Sequence, residues 1–129
     1  MSKIKYNGYY YYLDLKKNIN DTYNYVMRFF PNNKVITVTH CSHDISKFWR
    51  FFPNINWFNE NYEDNGTFNI KEDRISFECG KVEYKGTIIN DDKLVLFCHS
   101  NLNGYESIEE YKFISFDVLS DVLMFENEE

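Results

Sequence analysis

The feature that most constrains the fold is the shortness of the connections between successive strand-like segments. Pairs such as Glu72-Asp73 and Asp91-Asp92 separate segments rich in Val, Ile, Thr, Phe and Tyr. Parallel strands need a crossover connection of a dozen or more residues, so links this short require antiparallel neighbours. Eight strands are predicted, at residues 9–15, 22–30, 34–41, 67–71, 74–78, 81–90, 93–100 and 105–116.

The amino-acid composition favours the same fold class. Aromatic residues make up 19% of the 129 residues, and the chain contains no Ala and no Gln. Helical bundles depend on Ala, Leu, Gln and Glu, whereas Tyr, Phe, Ile, Val and Thr fit a pleated sheet. We therefore predict an all-β fold, an eight-stranded antiparallel up-and-down barrel, because closure removes the two edges of the sheet. The length suits one domain spanning residues 1–129.

Two segments depart from strand-like alternation. Between the third and fourth strands, Ile45, Phe48, Trp49 and Phe52 recur at i, i+3, i+4 and i+7, which predicts a short helix. The segment 118–125 has the apolar spacing of a C-terminal amphipathic helix, for which a strand is the alternative.

The distribution of charge and cysteine excludes several classes of partner. The net charge is −6, and the 14 Lys and Arg residues are scattered along the chain. Nucleic-acid binding needs clustered cations, and no segment approaches the length of a transmembrane helix. Cys41, Cys79 and Cys98 lack C-x-x-C spacing, and the first residues lack an apolar leader. We expect a cytoplasmic protein with free thiols, either a monomer or a homodimer, that contacts neither nucleic acid nor membrane.

Five strand sequences and one hairpin are typical of a known kind of barrel. They are Gly66-Thr67-Phe68-Asn69-Ile70, Arg74-Ile75-Ser76-Phe77, Tyr84-Lys85-Gly86-Thr87-Ile88, Lys93-Leu94-Val95-Leu96, Tyr111-Lys112-Phe113, and the hairpin from Met27 to Ile36. Over most of its length the chain resembles the small lipocalin-like, calycin-type barrels found among uncharacterised bacterial proteins. Gly8-Tyr9-Tyr10 stands where lipocalins proper carry a Gly-x-Trp motif. The resemblance implies a closed barrel that binds a small apolar ligand and has no catalytic residues.

The connections of a meander alternate between the two ends of the barrel, which predicts where a ligand enters. Residues 16–21, 42–65, 79–80 and 101–104 form one end, which has the long connections and the predicted helix, so we expect the mouth there. Strand phase gives the ligand-binding candidates Tyr25, His40, Trp49, Phe52, Phe68, Phe77, Tyr84, Cys98 and Tyr111. Deeper inside, the same phase places Met27, Phe29, Ile70, Ile75, Ile88, Leu94, Leu96 and Phe113.

The sequence carries no catalytic or metal-binding signature. G-x-S-x-G, H-E-x-x-H, P-loop and dinucleotide-binding motifs do not occur. His40, Cys41, His43 and the pair Cys98-His99 do not make a four-ligand zinc set. We therefore expect a non-enzymatic protein with no metal and no cofactor.

Three functional hypotheses remain. The first is a barrel that binds a small apolar or aromatic ligand at the helix-covered end. The alternative is a filled barrel that serves as a structural or protein-interaction module and contacts its partner through exposed Tyr10 and Tyr12 or through the C-terminal apolar stripe. An isomerase- or lyase-like enzyme with its site in a barrel cavity ranks last. In the first two, Arg28 is interpreted as a surface cation, and Glu106, Glu109 and Glu110 as a solvated strand face.

Overall fold

A computed structural model describes residues 4–15, 22–42 and 64–118, with backbone alone at 13–15, 22–24 and 40–42. It confirms the all-β prediction: eight antiparallel strands pair in sequence order and close into a barrel. The strands are β1 Gly8–Leu15, β2 Thr22–Phe29, β3 Lys34–Ser42, β4 Asn65–Lys71, β5 Arg74–Cys79, β6 Val82–Asn90, β7 Lys93–Ser100 and β8 Glu106–Ser115. The helix predicted at 45–52 lies outside the described residues. Within the described part of the chain, no helix is long and apolar enough to span a membrane.

Pairing of the first strand with the last closes the barrel. Gly8 pairs with Ser115, and the register continues to Tyr11 opposite Lys112. Closure depends on the absence of a side chain at Gly8, because a Cβ there would overlap the carbonyl oxygen of Ile114. Every strand then has two neighbours, so the sheet has no strand at an open edge.

Aromatic and aliphatic side chains fill the half of the barrel away from the predicted mouth. At its centre, the ring of Phe29 meets those of Tyr10, Phe68 and Phe77 edge-on, with centroids 5.5, 5.1 and 5.6 Å away. Edge-to-face contact of this kind is a favoured arrangement for aromatic pairs. The buried residues of this inner core are Ile4, Tyr10, Met27, Phe29, Val35, Phe68, Ile75, Phe77, Cys79, Ile88, Leu94, Leu96 and Tyr111.

A second apolar cluster lies on the outer face of the barrel. Tyr9, Val26, Ile36 and Val38 are buried there, and the partly buried side chains packed against them are Tyr11, Phe30, Ile114 and Phe116. The first three strands therefore bury side chains on both faces. This is the reason that their sequences do not alternate cleanly between apolar and polar residues.

Arg28 belongs to this outer face, as expected, but it is more than a solvated cation. Its guanidinium carbon lies 4.7 Å from the centroid of the Phe30 ring and 4.9 Å from that of Phe116. Both distances are within the range of a cation–π interaction. Burial lowers the pKa of Arg28, which shows that the surrounding rings remove much of its hydration.

Two expectations about side-chain direction are wrong. Tyr10 is completely buried in the inner core, and Tyr12 packs against that core, so neither is an exposed docking residue. Ile70 is 41% exposed although it shares the inner phase of Phe68. The register explains this exposure, because β3 pairs with β4 only as far as Thr67 and leaves Ile70 beyond the end of its neighbour.

The residues that precede β1 cover the end of the barrel opposite the predicted mouth. Ile4 is buried in the inner core, and the Lys5 ammonium lies 2.6 Å from the Asp92 carboxylate. The Tyr10 hydroxyl donates to the carbonyl of Asp91 and accepts from the backbone N–H of Lys5.

The predicted C-terminal helix begins at residue 116, where the Ser115 hydroxyl accepts from the N–H of Val118. Its continuation to residue 125 lies outside the described residues.

The hairpin between β4 and β5 offers a test of backbone strain. Glu72 has a φ of 59°, a left-handed conformation that costs a residue with a Cβ about 1–2 kcal/mol. Glu72→Gly is expected to raise the free energy of unfolding by about 0.5–1 kcal/mol after the extra chain entropy of Gly is counted. Asp73→Gly is the matched control, because φ at Asp73 is not positive, and it is expected to lower stability. Urea unfolding measures both, and a loss of stability in Glu72→Gly would contradict this account.

Candidate functional site

A cavity opens inside the barrel at the end where β5 joins β6 and β7 joins β8. Its volume is about 160 Å³, and it lies above the packed inner core. This is the end expected to form the mouth. The described lining residues are Tyr12, Tyr25, Thr39, Val82, Tyr84, Cys98, Ser100, Tyr105, Ser107, Glu109 and Tyr111.

Inward-facing tyrosines supply most of the apolar wall of the cavity. The Tyr12 and Tyr25 rings stack with centroids 5.7 Å apart, and the Tyr111 ring lies 6.0 Å from Tyr12. On the opposite wall, the ring of Tyr84 stacks on Phe77 at 4.7 Å. Because Phe77 belongs to the inner core, this stack fixes the position of Tyr84 at the boundary between the filled and open halves.

Burial favours the protonated form of three groups in the wall, Tyr84, Cys98 and Tyr111. It raises the pKa of Tyr84 and that of Tyr111 well above the ordinary phenol value. The pKa of the Cys98 thiol rises from 9.0 to about 11, chiefly by desolvation, although hydrogen bonds with Tyr111 and Ser107 oppose the rise. At neutral pH the wall therefore presents phenol and thiol groups, and Cys98 lacks the lowered pKa that activates a cysteine nucleophile.

Glu109 is the one charged side chain among the described lining residues. It is half-buried, and its negative charge contributes to the raised pKa of both Cys98 and Tyr111. The interpretation of Glu109 as part of a solvated strand face is therefore wrong. Its position two residues before inward-facing Tyr111 is the sequence signal that identifies its phase.

Four of the predicted ligand-binding residues meet at the cavity: Tyr25, Tyr84, Cys98 and Tyr111. Two others, Phe68 and Phe77, lie in the packed inner core below it. Trp49 and Phe52 lie outside the described residues. Whether any of these residues binds a ligand stays a prediction.

Only the backbone of His40 is described, so its expected inward phase stays a prediction. Val35 belongs to the inner core and Thr39 lines the cavity, whereas Ile36 and Val38 belong to the outer cluster. Among the described side chains of β3, the inner phase therefore includes positions 35 and 39. In the backbone ladder, His40 pairs with Asn24 of β2.

Seven lining residues were not among the predicted ligand-binding set. They are Tyr12, Thr39, Val82, Ser100, Tyr105, Ser107 and Glu109. Most share the phase of a neighbour that alternation placed inside, such as Ser100 beside Cys98 and Val82 beside Tyr84. A search restricted to apolar side chains overlooks the small polar ones among them.

The cavity holds no grouping that resembles a metal centre. In residues 4–15, 22–42 and 64–118, no three His, Cys, Asp or Glu side chains lie close enough together to hold an ion. Cys79 and Cys98 are both free thiols.

The raised pKa of Cys98 predicts a change of stability at alkaline pH. Below pH 9 the thiol is protonated in both states; between pH 9 and about pH 11 the unfolded chain ionises while the folded chain keeps its proton. The free energy of unfolding is therefore expected to fall across this window as the pH rises. Denaturant titrations at several pH values should show a shallower fall for Cys98→Ala. An unchanged slope in that variant would show that Cys98 does not contribute.

Comparisons with models of known protein families, with curated proteins and with solved structures found no match. The closed eight-stranded antiparallel barrel is consistent with a lipocalin-like fold.

Proposed function

We propose that this protein is a non-enzymatic binding protein that holds one small ligand in the tyrosine-lined cavity of its barrel. The observation that carries the proposal is the division of the interior. Phe29, Phe68 and Phe77 fill one half, while the tyrosines above them surround about 160 Å³ of space. Protein interiors are normally packed to the density of organic crystals, so a cavity of this size is a feature to explain.

The volume limits the ligand to a small molecule. A cavity of about 150 Å³ is sufficient for benzene, whereas pockets for drug-sized ligands measure about 300–1,000 Å³. A cavity of about 160 Å³ therefore suits one ring or a compact branched group. Fatty acids, haem and flavins exceed it.

The chemistry of the wall suits binding better than catalysis. General acid–base catalysis needs groups that gain and lose protons near the working pH. Burial raises the pKa values of Tyr84, Cys98 and Tyr111 far above neutrality, which keeps these groups in one protonation state. The proposal includes kinship with the small lipocalin-like barrels of bacteria and, from the free thiols Cys79 and Cys98, a place in the reducing cytoplasm.

One observation favours the alternative, a protein-interaction module. Phe97 and Ile108 form a cross-strand pair on the outer face of β7 and β8, and they are 38% and 69% exposed. An exposed apolar pair is a minor contact surface, whereas patches that mark partners usually cover several hundred Å². We therefore rank this alternative below ligand binding.

A cavity-filling substitution tests the proposal. Ser107 lines the cavity, so Ser107→Leu adds apolar atoms to the space that a ligand would occupy. Phenol and benzene are the uncharged probes, and chemical-shift changes in the wild-type protein measure their binding. We expect binding to the wild type and a loss of affinity of about tenfold or more in Ser107→Leu.

The matched control is Ser76→Leu, which makes the same change on the outer phase of β5, away from the cavity. It is expected to leave probe affinity unchanged. If the wild-type protein binds neither the uncharged probes nor the cationic probe described below, the ligand-binding proposal fails and the protein-interaction alternative takes its place. If Ser107→Leu binds the probes as tightly as the wild type does, the probes bind outside the cavity.

A further inference from the structure

The charge balance of the cavity is informative about the class of its ligand. Among the described residues that line it, Glu109 carries the only formal charge, and no Lys, Arg or His side chain accompanies it. No salt bridge joins Glu109 to another described residue, whereas Glu106 and Glu110 on the same strand pair with His99 and Lys93. Glu109 thus supplies one negative charge to the cavity wall.

The field of this carboxylate acts within the cavity wall. Its charge contributes to holding the protons on Cys98 and Tyr111, which means that a negative charge at either position is disfavoured. An anionic ligand would experience the same repulsion. A cation in the cavity would be attracted instead, and more strongly than in water because part of the site is desolvated.

The tyrosine rings of the cavity wall also favour a cation over an anion. Five tyrosines line the cavity, and the rings of Tyr25 and Tyr111 lie within 6.0 Å of the Tyr12 ring, centroid to centroid. The face of an aromatic ring is the negative part of its quadrupole and attracts cations. Aromatic cages are a recurring means of holding quaternary ammonium groups in proteins.

Cation–π contacts also occur elsewhere in the barrel. The Lys5 ammonium lies 5.0 Å from the centroid of the Phe113 ring, and Arg28 lies between two phenylalanine rings. At both places a side chain of the protein supplies the cation. At the cavity, the described residues supply the rings and the carboxylate.

We propose that the cavity binds a small quaternary ammonium ion, with the tyrosine rings around the alkyl groups and Glu109 as its counter-charge. The inference rests on the proposed function and names its ligand class. A trimethylammonium head group is compact, apolar on its surface and charged, and it fits a volume of about 160 Å³. It forms no N–H hydrogen bonds, so a wall of rings satisfies it without further acceptors.

The test compares two molecules of the same shape and different charge. Choline is the cationic probe, and 3,3-dimethylbutan-1-ol, in which carbon replaces nitrogen, is the neutral one. Titrations followed by chemical shift and calorimetry are expected to give choline an affinity about tenfold or more higher, since it alone gains the cation–π and carboxylate interactions. Added salt should weaken the binding of choline and leave that of the neutral alcohol unchanged.

Two variants test whether Glu109 causes the preference for choline over the neutral alcohol. Glu109→Gln keeps the shape of the side chain and removes its charge, so the preference for choline should shrink severalfold. Glu110→Gln is the control, because Glu110 is exposed and pairs with Lys93 outside the cavity, and it should keep the full preference. Choline binding that is insensitive to Glu109→Gln would overturn the counter-charge assignment.

The outcomes separate this inference from the proposed function. If the neutral alcohol binds as tightly as choline, or if phenol and benzene bind and choline does not, the cationic ligand class is wrong and the ligand-binding function stands. If none of the four probes binds, both fail together.

Discussion

The pairing between β1 and β8 is the interaction on which the rest of the structure depends. It converts a meander with two open edges into a closed wall, and it requires Gly8 to lie directly against the backbone of β8. Closure fixes which face of every strand points inward, because the side-chain period of two is then continued around the whole barrel. The packed half, the tyrosine-lined half and the position of Glu109 all follow from that one phase.

The interior illustrates how a barrel of minimal size accommodates both a core and a cavity. Eight strands enclose little more space than their own side chains occupy. The phenylalanines gather in one half, where edge-to-face contacts around Phe29 allow dense packing, and Tyr10 spans the far end to reach the carbonyl of Asp91. Tyrosines take the other half, where stacked rings such as Tyr12 and Tyr25 form a wall and leave the axis of the barrel open.

Strand order and turn positions were predictable because each depends on local signals, such as the two-residue turn at Glu72 and Asp73. Barrel closure was predictable because it removes the two edges of a sheet of this size. The phase of the later strands was predictable as well, since Leu94, Leu96 and Cys98 alternate with side chains that are less buried. The phase of β1 was not, because Tyr9 is buried in the outer cluster and Tyr10 in the inner core, which removes the contrast between the two faces. Glu109 was missed for a related reason: a carboxylate is expected to face solvent unless the local register shows otherwise.

The outer cluster has a mechanical consequence. Where it covers β1, β2, β3 and the end of β8, the barrel has a second apolar layer. At β6, β7 and the start of β8, Ile89, Phe97 and Ile108 are exposed on the outside. A double wall resists deformation, because bending it disturbs two packed surfaces, whereas a single wall bends at the expense of one. Most of the described residues around the cavity come from β6, β7 and β8. We therefore expect the wall to deform more readily at β6, β7 and the start of β8, beside the cavity, than at β1, β2 and β3.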